Sequence, residues 1–271
     1  MSLHPAIGNM ILPRTTIETA ETVTPAKREA KNSMVLQIFR GTTAATLIIA
    51  AGSAHADDAS CRGLPALSAN PSLTAGHIAS REPRVHFIKD GRTPGCPNQT
   101  PACAERAYLV SRDRLIVSRR RDAFVCATHV NAKAFEWSGW LPAAAVAYDN
   151  EKPIASADWL GRWIRVEAEI NAKAGKAGVL LIKGEATYGA GDPDRVKRGG
   201  VNTGTIEGEV MPAGDSLSFA MTGDAALPVD KGDEFDCQVW MRRFGSWLIV
   251  NDNSHCGGLN VTFSGVYSGK P

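Results

Sequence analysis

Apolar and polar positions alternate with a period of two along much of the second half of this chain, and that spacing predicts strands rather than helices. The clearest run is 163–170, where Ile164, Val166, Ala168 and Ile170 fall on one side and Arg165, Glu167 and Glu169 on the other. A half-buried strand is predicted there. Apolar runs at 179–188, 203–210, 216–221, 234–241, 247–252 and 259–267 continue the series. Turn-forming residues fill the intervals, as in Gly189-Ala190-Gly191-Asp192-Pro193, Pro212-Ala213-Gly214-Asp215 and Lys231-Gly232-Asp233. Seven or eight strands in 158–271, with no helical stretch, predict an antiparallel β-barrel or sandwich.

Residues 84–147 carry shorter strand-like runs. Arg84-Val85-His86-Phe87-Ile88-Lys89 is extended, and Tyr108-Leu109-Val110 and Leu115-Ile116-Val117 flank the polar turn Ser111-Arg112-Asp113-Arg114. A second polar turn, Arg119-Arg120-Arg121-Asp122, precedes Ala123-Phe124-Val125-Cys126-Ala127, and Phe135-Glu136-Trp137-Ser138-Gly139-Trp140-Leu141-Pro142 closes the set. Short strands at close spacing predict a small barrel. Residues 57–83, with Pro65, Pro71 and Pro83, read as an irregular lead-in, and the polar stretch 148–157 reads as a linker. The predicted class is therefore all-β: a small barrel at 84–147 followed by a larger one at 158–271.

The first 56 residues follow a different rule. Residues 43–51 form an apolar run of about nine residues, too short for a membrane span of roughly 20 but matched to a signal-peptide core. Arg40, Lys31, Arg28 and Lys27 precede it, and Ala54-His55-Ala56 supplies a small-x-small site, so cleavage is expected after Ala56. Residues 1–56 thus read as an N-terminal extension and signal peptide, with Met34 just ahead of the signal as a second candidate start. A secreted or periplasmic protein without an integral membrane anchor is expected.

Charge changes the picture only in its distribution. From Asp57 onward 25 basic side chains balance 25 acidic ones, so no global attraction to nucleic acid is expected. Residues 61–147 carry a net +6 and residues 148–271 a net −4, an asymmetry that suits either an anionic partner or mutual attraction of the two halves.

Six cysteines follow the predicted cleavage site, an even number suited to disulfides in an oxidising compartment. Fifteen pairings are open to six cysteines. Locality favours Cys237 with Cys256 and Cys96 with Cys103, leaving Cys61 with Cys126. There is no C-x2-C spacing and the histidines are scattered, so no zinc or other cofactor is expected.

Tyr108-Leu109-Val110, the basic turn and Gly139-Trp140-Leu141 before a short apolar stretch resemble bacterial Src-homology-3-like (SH3-like) domains. In periplasmic proteins that resemblance implies binding of cell-wall peptide or protein. Asp252-Asn253-Ser254-His255-Cys256-Gly257-Gly258-Leu259-Asn260-Val261, followed by Phe263, Gly265 and Tyr267, is similar to a D-N-x-x-C-G-G-x-N-V-x-F-x-G-x-Y signature that ends many uncharacterised exported proteobacterial proteins. A similar tail occurs on lysozyme-inhibitor-like proteins, and Gly161-x-Trp163 resembles the opening of calycin barrels. Membrane-bound lysozyme inhibitors carry Ser-Gly-x-x-Tyr, whereas Ser264-Gly265-Val266-Tyr267 is one residue shorter, so no inhibitory residue carries over.

Candidate chemistry is sparse. A thiol hydrolase would pair Cys256 with His255 or His129 and Asp252, but neighbours on a strand point to opposite faces. A glycosidase needs two converging carboxylates, and Glu167/Glu169 and Glu207/Glu209 sit as solvated strand faces. Gly189-Ala190-Gly191 lacks the following helix that a phosphate cradle requires. The expected function is a non-enzymatic periplasmic binding or interaction protein, possible partners being peptidoglycan or an envelope protein. Candidate contacts are Trp137, Trp140, Arg119, Arg120, Arg121, Asn253, His255 and Asn260, the last three as the rim of a barrel mouth. An envelope glycan hydrolase and a purely structural envelope component are the alternatives.

Overall fold

The computed structural model describes residues 60–223 and 225–270. The expected signal peptide, its expected cleavage site and the expected N-terminal extension lie outside the described residues. Two antiparallel sheets account for nearly all of the architecture.

The first sheet comprises β1 (Thr74–Ile78), β2 (Val85–Ile88), β3 (Ala104–Leu109), β4 (Arg114–Arg121), β5 (Phe124–Val130), β6 (Glu136–Pro142) and β7 (Val146–Tyr148). Their order across the sheet is β3-β2-β6-β5-β4-β1-β7. Ile78, Val85, Phe87, Leu109, Leu115, Val125 and Leu141 form its core. Those side chains come from each of β1 to β6, so the sheet must curl around them. β5 departs from simple alternation, with Phe124 to Thr128 all buried. Val125 and Ala127 enter the core. Phe124 and Cys126 lie on the other face, in a second cluster with Cys61, Ile88, Cys103 and Trp140. A chain segment stapled by disulfides therefore covers what would otherwise be a wet face.

The second sheet comprises β8 (Gly161–Arg165), β9 (Ala168–Ala174), β10 (Leu180–Tyr188), β11 (Asn202–Val210), β12 (Ser216–Thr222), β13 (Ala225–Leu227), β14 (Cys237–Phe244), β15 (Trp247–Asp252) and β16 (Gly265–Lys270). Its order is β11-β10-β9-β8-β16-β15-β14-β12-β13, and β11 at one edge comes back against β12 and β13 at the other. The barrel closes there by side chains rather than a ladder. Phe219 and Ala226 pack across the seam onto Gly208, and the Glu207 amide donates to Met221 Sδ at 3.2 Å. Alternation along β10 and β11 sends Leu180, Ile182, Ala186 and Ile206 inward, where Trp159, Ile170, Phe219, Phe263 and Tyr267 fill the interior. Burial pushes the Tyr267 hydroxyl far above its ordinary range, and it donates to the Phe263 carbonyl at 2.8 Å.

One barrel end is closed by Trp163 under the guanidinium of Arg243, 4.1 Å from the ring centroid. Arg243 is only 5% exposed and donates to the carbonyls of Asp158, Gly245 and Trp247. Burial lowers its pKa to about 10, so it stays charged at neutral pH.

The sheets share a third apolar cluster. Leu73, Ala75 and Ile116 meet Phe244, Trp247, Ile249 and Val266. Arg114 reinforces it, stacking 4.6 Å from the Trp247 centroid and donating to Ser246 Oγ at 2.6 Å. Arg242 donates to the Pro71 carbonyl at 2.7 Å. The unbroken burial of Trp247 to Val250 follows: Leu248 and Val250 face the barrel interior while Trp247 and Ile249 face the first sheet.

Several sequence expectations are corrected. The stretch 57–83, expected to be irregular, contributes β1, which pairs with both β4 and β7. The run 163–170 is a tight hairpin rather than one strand, because Glu167 takes a left-handed φ of 57° and Val166 ends exposed at the turn. The second sheet has nine strands. A short helix, α1 (Pro193–Lys197), follows Gly189-Ala190-Gly191, capped by the Asp192 carboxylate on the amides of Asp194 and Arg195. Residues 259–264 lie outside the ladder, β16 beginning only at Gly265. Arg119, Arg120 and Arg121 sit in β4 rather than at a turn; the turn falls at Asp122, with φ 49°.

Candidate binding cleft

All six cysteines are oxidised, in the pairing that locality favours: Cys61–Cys126, Cys96–Cys103 and Cys237–Cys256. The first two lie beside a cleft in the first sheet. β2 and β6 are paired only at Ile88 and Trp140, and the β2–β3 register shifts between His86 and Ile88. Beyond Ile88 the chain turns toward β3, its Lys89 amide donating to the Cys103 carbonyl at 2.8 Å. A cleft of about 630 Å³ opens between β6 and this departing segment.

Phe87, Ile88 and Gly139 line its apolar part. Gly139 is required there, since a Cβ would lie 2.9 Å from the Phe87 ring. Trp137 forms one wall, 51% exposed, with its ring centroid 6.5 Å from that of Phe87. An indole held half out of water over a second ring is an amphipathic stacking surface. Charges border it. Asp90 accepts from Arg62 at 2.8 Å with Arg92 at 3.7 Å, and its own side chain is almost buried. Lys89 Nζ donates to the Ala102 carbonyl at 2.9 Å. Glu136 Oε1 accepts the amide of Val266 in β16 at 2.6 Å, tying the cleft wall to the second sheet. Arg62, Lys89 and Arg92 balance Asp90, Glu105 and Glu136, so the lining has no net charge despite the +6 of residues 61–147.

The other sequence candidates are dispersed. Trp140, two residues from Trp137, is fully buried in the disulfide-covered cluster, with the Arg119 guanidinium 5.5 Å from its centroid. It is a core residue and not a contact residue. Arg120 Nε donates to the Asp122 carbonyl at 3.4 Å, and Arg121 lies 3.9 Å from the Asp122 carboxylate.

The residues expected to rim a barrel mouth instead build the loop that shuts it. Asn253 Oδ1 accepts the Gln238 amide at 3.0 Å, and its Nδ2 donates to the Asp236 carbonyl at 2.7 Å. His255 stacks on Phe235 at 5.9 Å and bonds the Glu234 carbonyl through Nδ1 at 2.9 Å. Asn260 holds a left-handed turn, φ 66°. The Asp252 carboxylate accepts from Thr262 Oγ1 at 2.6 Å, Ser264 Oγ at 2.5 Å and the Phe263 amide at 3.2 Å. Gly257 bridges to Gly204, where a Cβ would lie 2.3 Å from the Cys256 carbonyl oxygen. The Cys237–Cys256 bond fixes the base of this loop. The signature is a plug over one end of a filled barrel.

Sequence reasoning found Trp137 but missed Phe87, Arg62, Asp90, Arg92 and Glu136 as its companions. The residues 84–89 read correctly as extended; that their pairing with β6 stops after a single residue pair is a non-local fact with no local signal. No family model, no curated protein and no solved structure matches this chain.

Proposed function

We propose that this chain is an exported, non-catalytic binding protein of the bacterial envelope, and that its ligand enters the cleft between β2 and β6. The observation that carries the proposal is Trp137. A large aromatic ring 51% exposed at the wall of a preformed cleft is costly to leave in water and is the kind of residue that anchors recognition. The resemblance to SH3-like and inhibitor-like exported proteins points to cell-wall peptide or an envelope protein as the partner. Three disulfides and the 34–56 signal support an oxidising destination.

The test is co-sedimentation of the disulfide-intact mature chain with purified peptidoglycan sacculi, and capture on immobilised periplasmic proteins. Trp137→Ala is expected to weaken binding at least tenfold, about 1.4 kcal/mol, with little change in melting temperature because the ring is not in the core. Trp140→Ala, by contrast, is expected to cost about 3–5 kcal/mol of stability. Binding that is absent, or indifferent to Trp137→Ala, would refute the assignment. Export is tested separately by the intact mass of periplasmic material, expected to begin at Asp57.

A further inference from the structure

The cleft has a property that an ordinary surface hollow lacks. Glu136, Trp137, Ser138 and Gly139 all line it, although they are consecutive residues of one strand. Side chains of a strand alternate between faces. Consecutive residues can share one cavity only where that cavity runs along the strand's edge. The opposite wall repeats the pattern, with Phe87, Ile88, Lys89 and Asp90 in succession. Both walls therefore present backbone to the gap.

The ladder agrees. On one side β6 is paired along its whole length with β5, from Glu136 opposite Val130 to Pro142 opposite Phe124. On the other side its pairing is confined to Trp140 opposite Ile88. The 136–139 segment thus has one satisfied edge and one edge facing the cleft. Natural sheets rarely leave such an edge uncovered without charge, proline or a bulge on it. Here Glu136 puts a charge at one end of the edge, and the edge is also fixed in place. Glu136 is anchored to Val266 of the other sheet, Gly139 is clamped by Phe87, and Cys61–Cys126 ties the neighbouring rim to β5.

We infer that the cleft is a strand-addition site: an extended polypeptide inserts edge-on and pairs with 136–139 of β6, laying one apolar or aromatic side chain on the exposed ring of Trp137. Backbone hydrogen bonds supply the affinity and the Trp137 ring selects the side chain. The lining carries as many acids as bases, so the ligand's net charge does not decide entry. This inference rests on the cleft being the binding site proposed above, and it narrows the ligand to polypeptide rather than glycan.

The probe is a random heptapeptide library displayed on phage and selected on the disulfide-intact chain, the strongest peptide then being synthesised. Each of its amides is N-methylated in turn. Strand addition predicts a period of two: about tenfold weaker binding at alternate positions, the loss of one hydrogen bond, and less than about twofold between them. Amide hydrogen exchange within 136–139 should slow on binding, and Trp137→Ala should abolish it. Glycan strands stripped of stem peptide serve as the competing probe. Should selection yield no peptide, or N-methylation show no period, or only glycan bind through Trp137, strand addition is overturned while the cleft assignment stands. If neither peptide nor glycan depends on Trp137, both fall. N-methylation alters the ligand alone, so misfolding of a variant cannot mimic any of these results.

Discussion

At the scale of single residues, the structure separates side chains that look equivalent in the sequence. Trp137 and Trp140 belong to the same short strand, yet odd and even positions place one at the cleft and the other under a disulfide. Glycines divide in the same way. Gly204 has no room for a Cβ, with Cys256 O at 2.3 Å and Gly257 Cα at 2.9 Å, whereas at Gly191 the nearest atom would be 3.7 Å away. Gly204→Ala is therefore expected to cost about 3 kcal/mol, the upper part of the overpacking range, and Gly191→Ala close to nothing; denaturant unfolding of the two variants checks this. Glu151 makes a pH prediction. Partial desolvation of this largely exposed side chain raises its pKa, an effect that the nearby Arg242 and Arg114 oppose and Asp215 and Asp149 assist. A raised carboxyl contributes stability while protonated, and that contribution is lost as pH rises through its folded-state value. Glu151→Gln should thus melt slightly higher than the parent at pH 7, the gap closing toward about pH 4. A lower melting point at pH 7 would contradict it.

At the scale of elements, the cysteines and the alternating runs were legible, and the irregular joints between them were not. Cys237 and Cys256 are the only cysteines after residue 126, and they pair. Restricting the unfolded chain over a separation of 19 residues is worth about 3 kcal/mol, and over the 65 of Cys61–Cys126 about 4 kcal/mol. Cys237→Ser with Cys256→Ser is expected to lower stability by about that smaller amount and to release the 253–261 plug first. Hydrogen exchange would show protection lost at Gly258, whose amide donates to the Thr203 carbonyl. Strands such as 247–252 were read to the residue because a four-residue apolar run bounded by turns has few alternatives. The hairpin at 163–170 was missed for the opposite reason. Alternation continues through a two-residue turn without a break in polarity, and Glu167 carries no glycine-like mark of its left-handed backbone. The cleft was invisible because it is made by pairing that stops, a feature of two strands about 50 residues apart.

At the scale of the whole molecule, the sequence suggested two domains and a linker, while the contacts place both sheets in one compact unit. Ile116 and Ala75 from one sheet and Trp247, Ile249 and Val266 from the other bury each other. One cooperative melting transition is expected by calorimetry for the oxidised chain, and Ile116→Ala should shift it as a whole by about 2–5 kcal/mol. Two resolved transitions would show that the sheets unfold independently.

β15 packs into the barrel with one face and against the other sheet with its opposite face. Its residues are therefore answerable to two neighbourhoods at once, and this governs how the molecule can be inherited. A recombination event that moved either sheet into another protein would strand an apolar face in water. A drift in size at Ile249 has to be met across the seam at Ile116 or Leu73, even though more than 130 positions separate them. Related chains should therefore keep both halves together and change these positions in concert, while the exposed stretch 150–153 between them is free to vary in length.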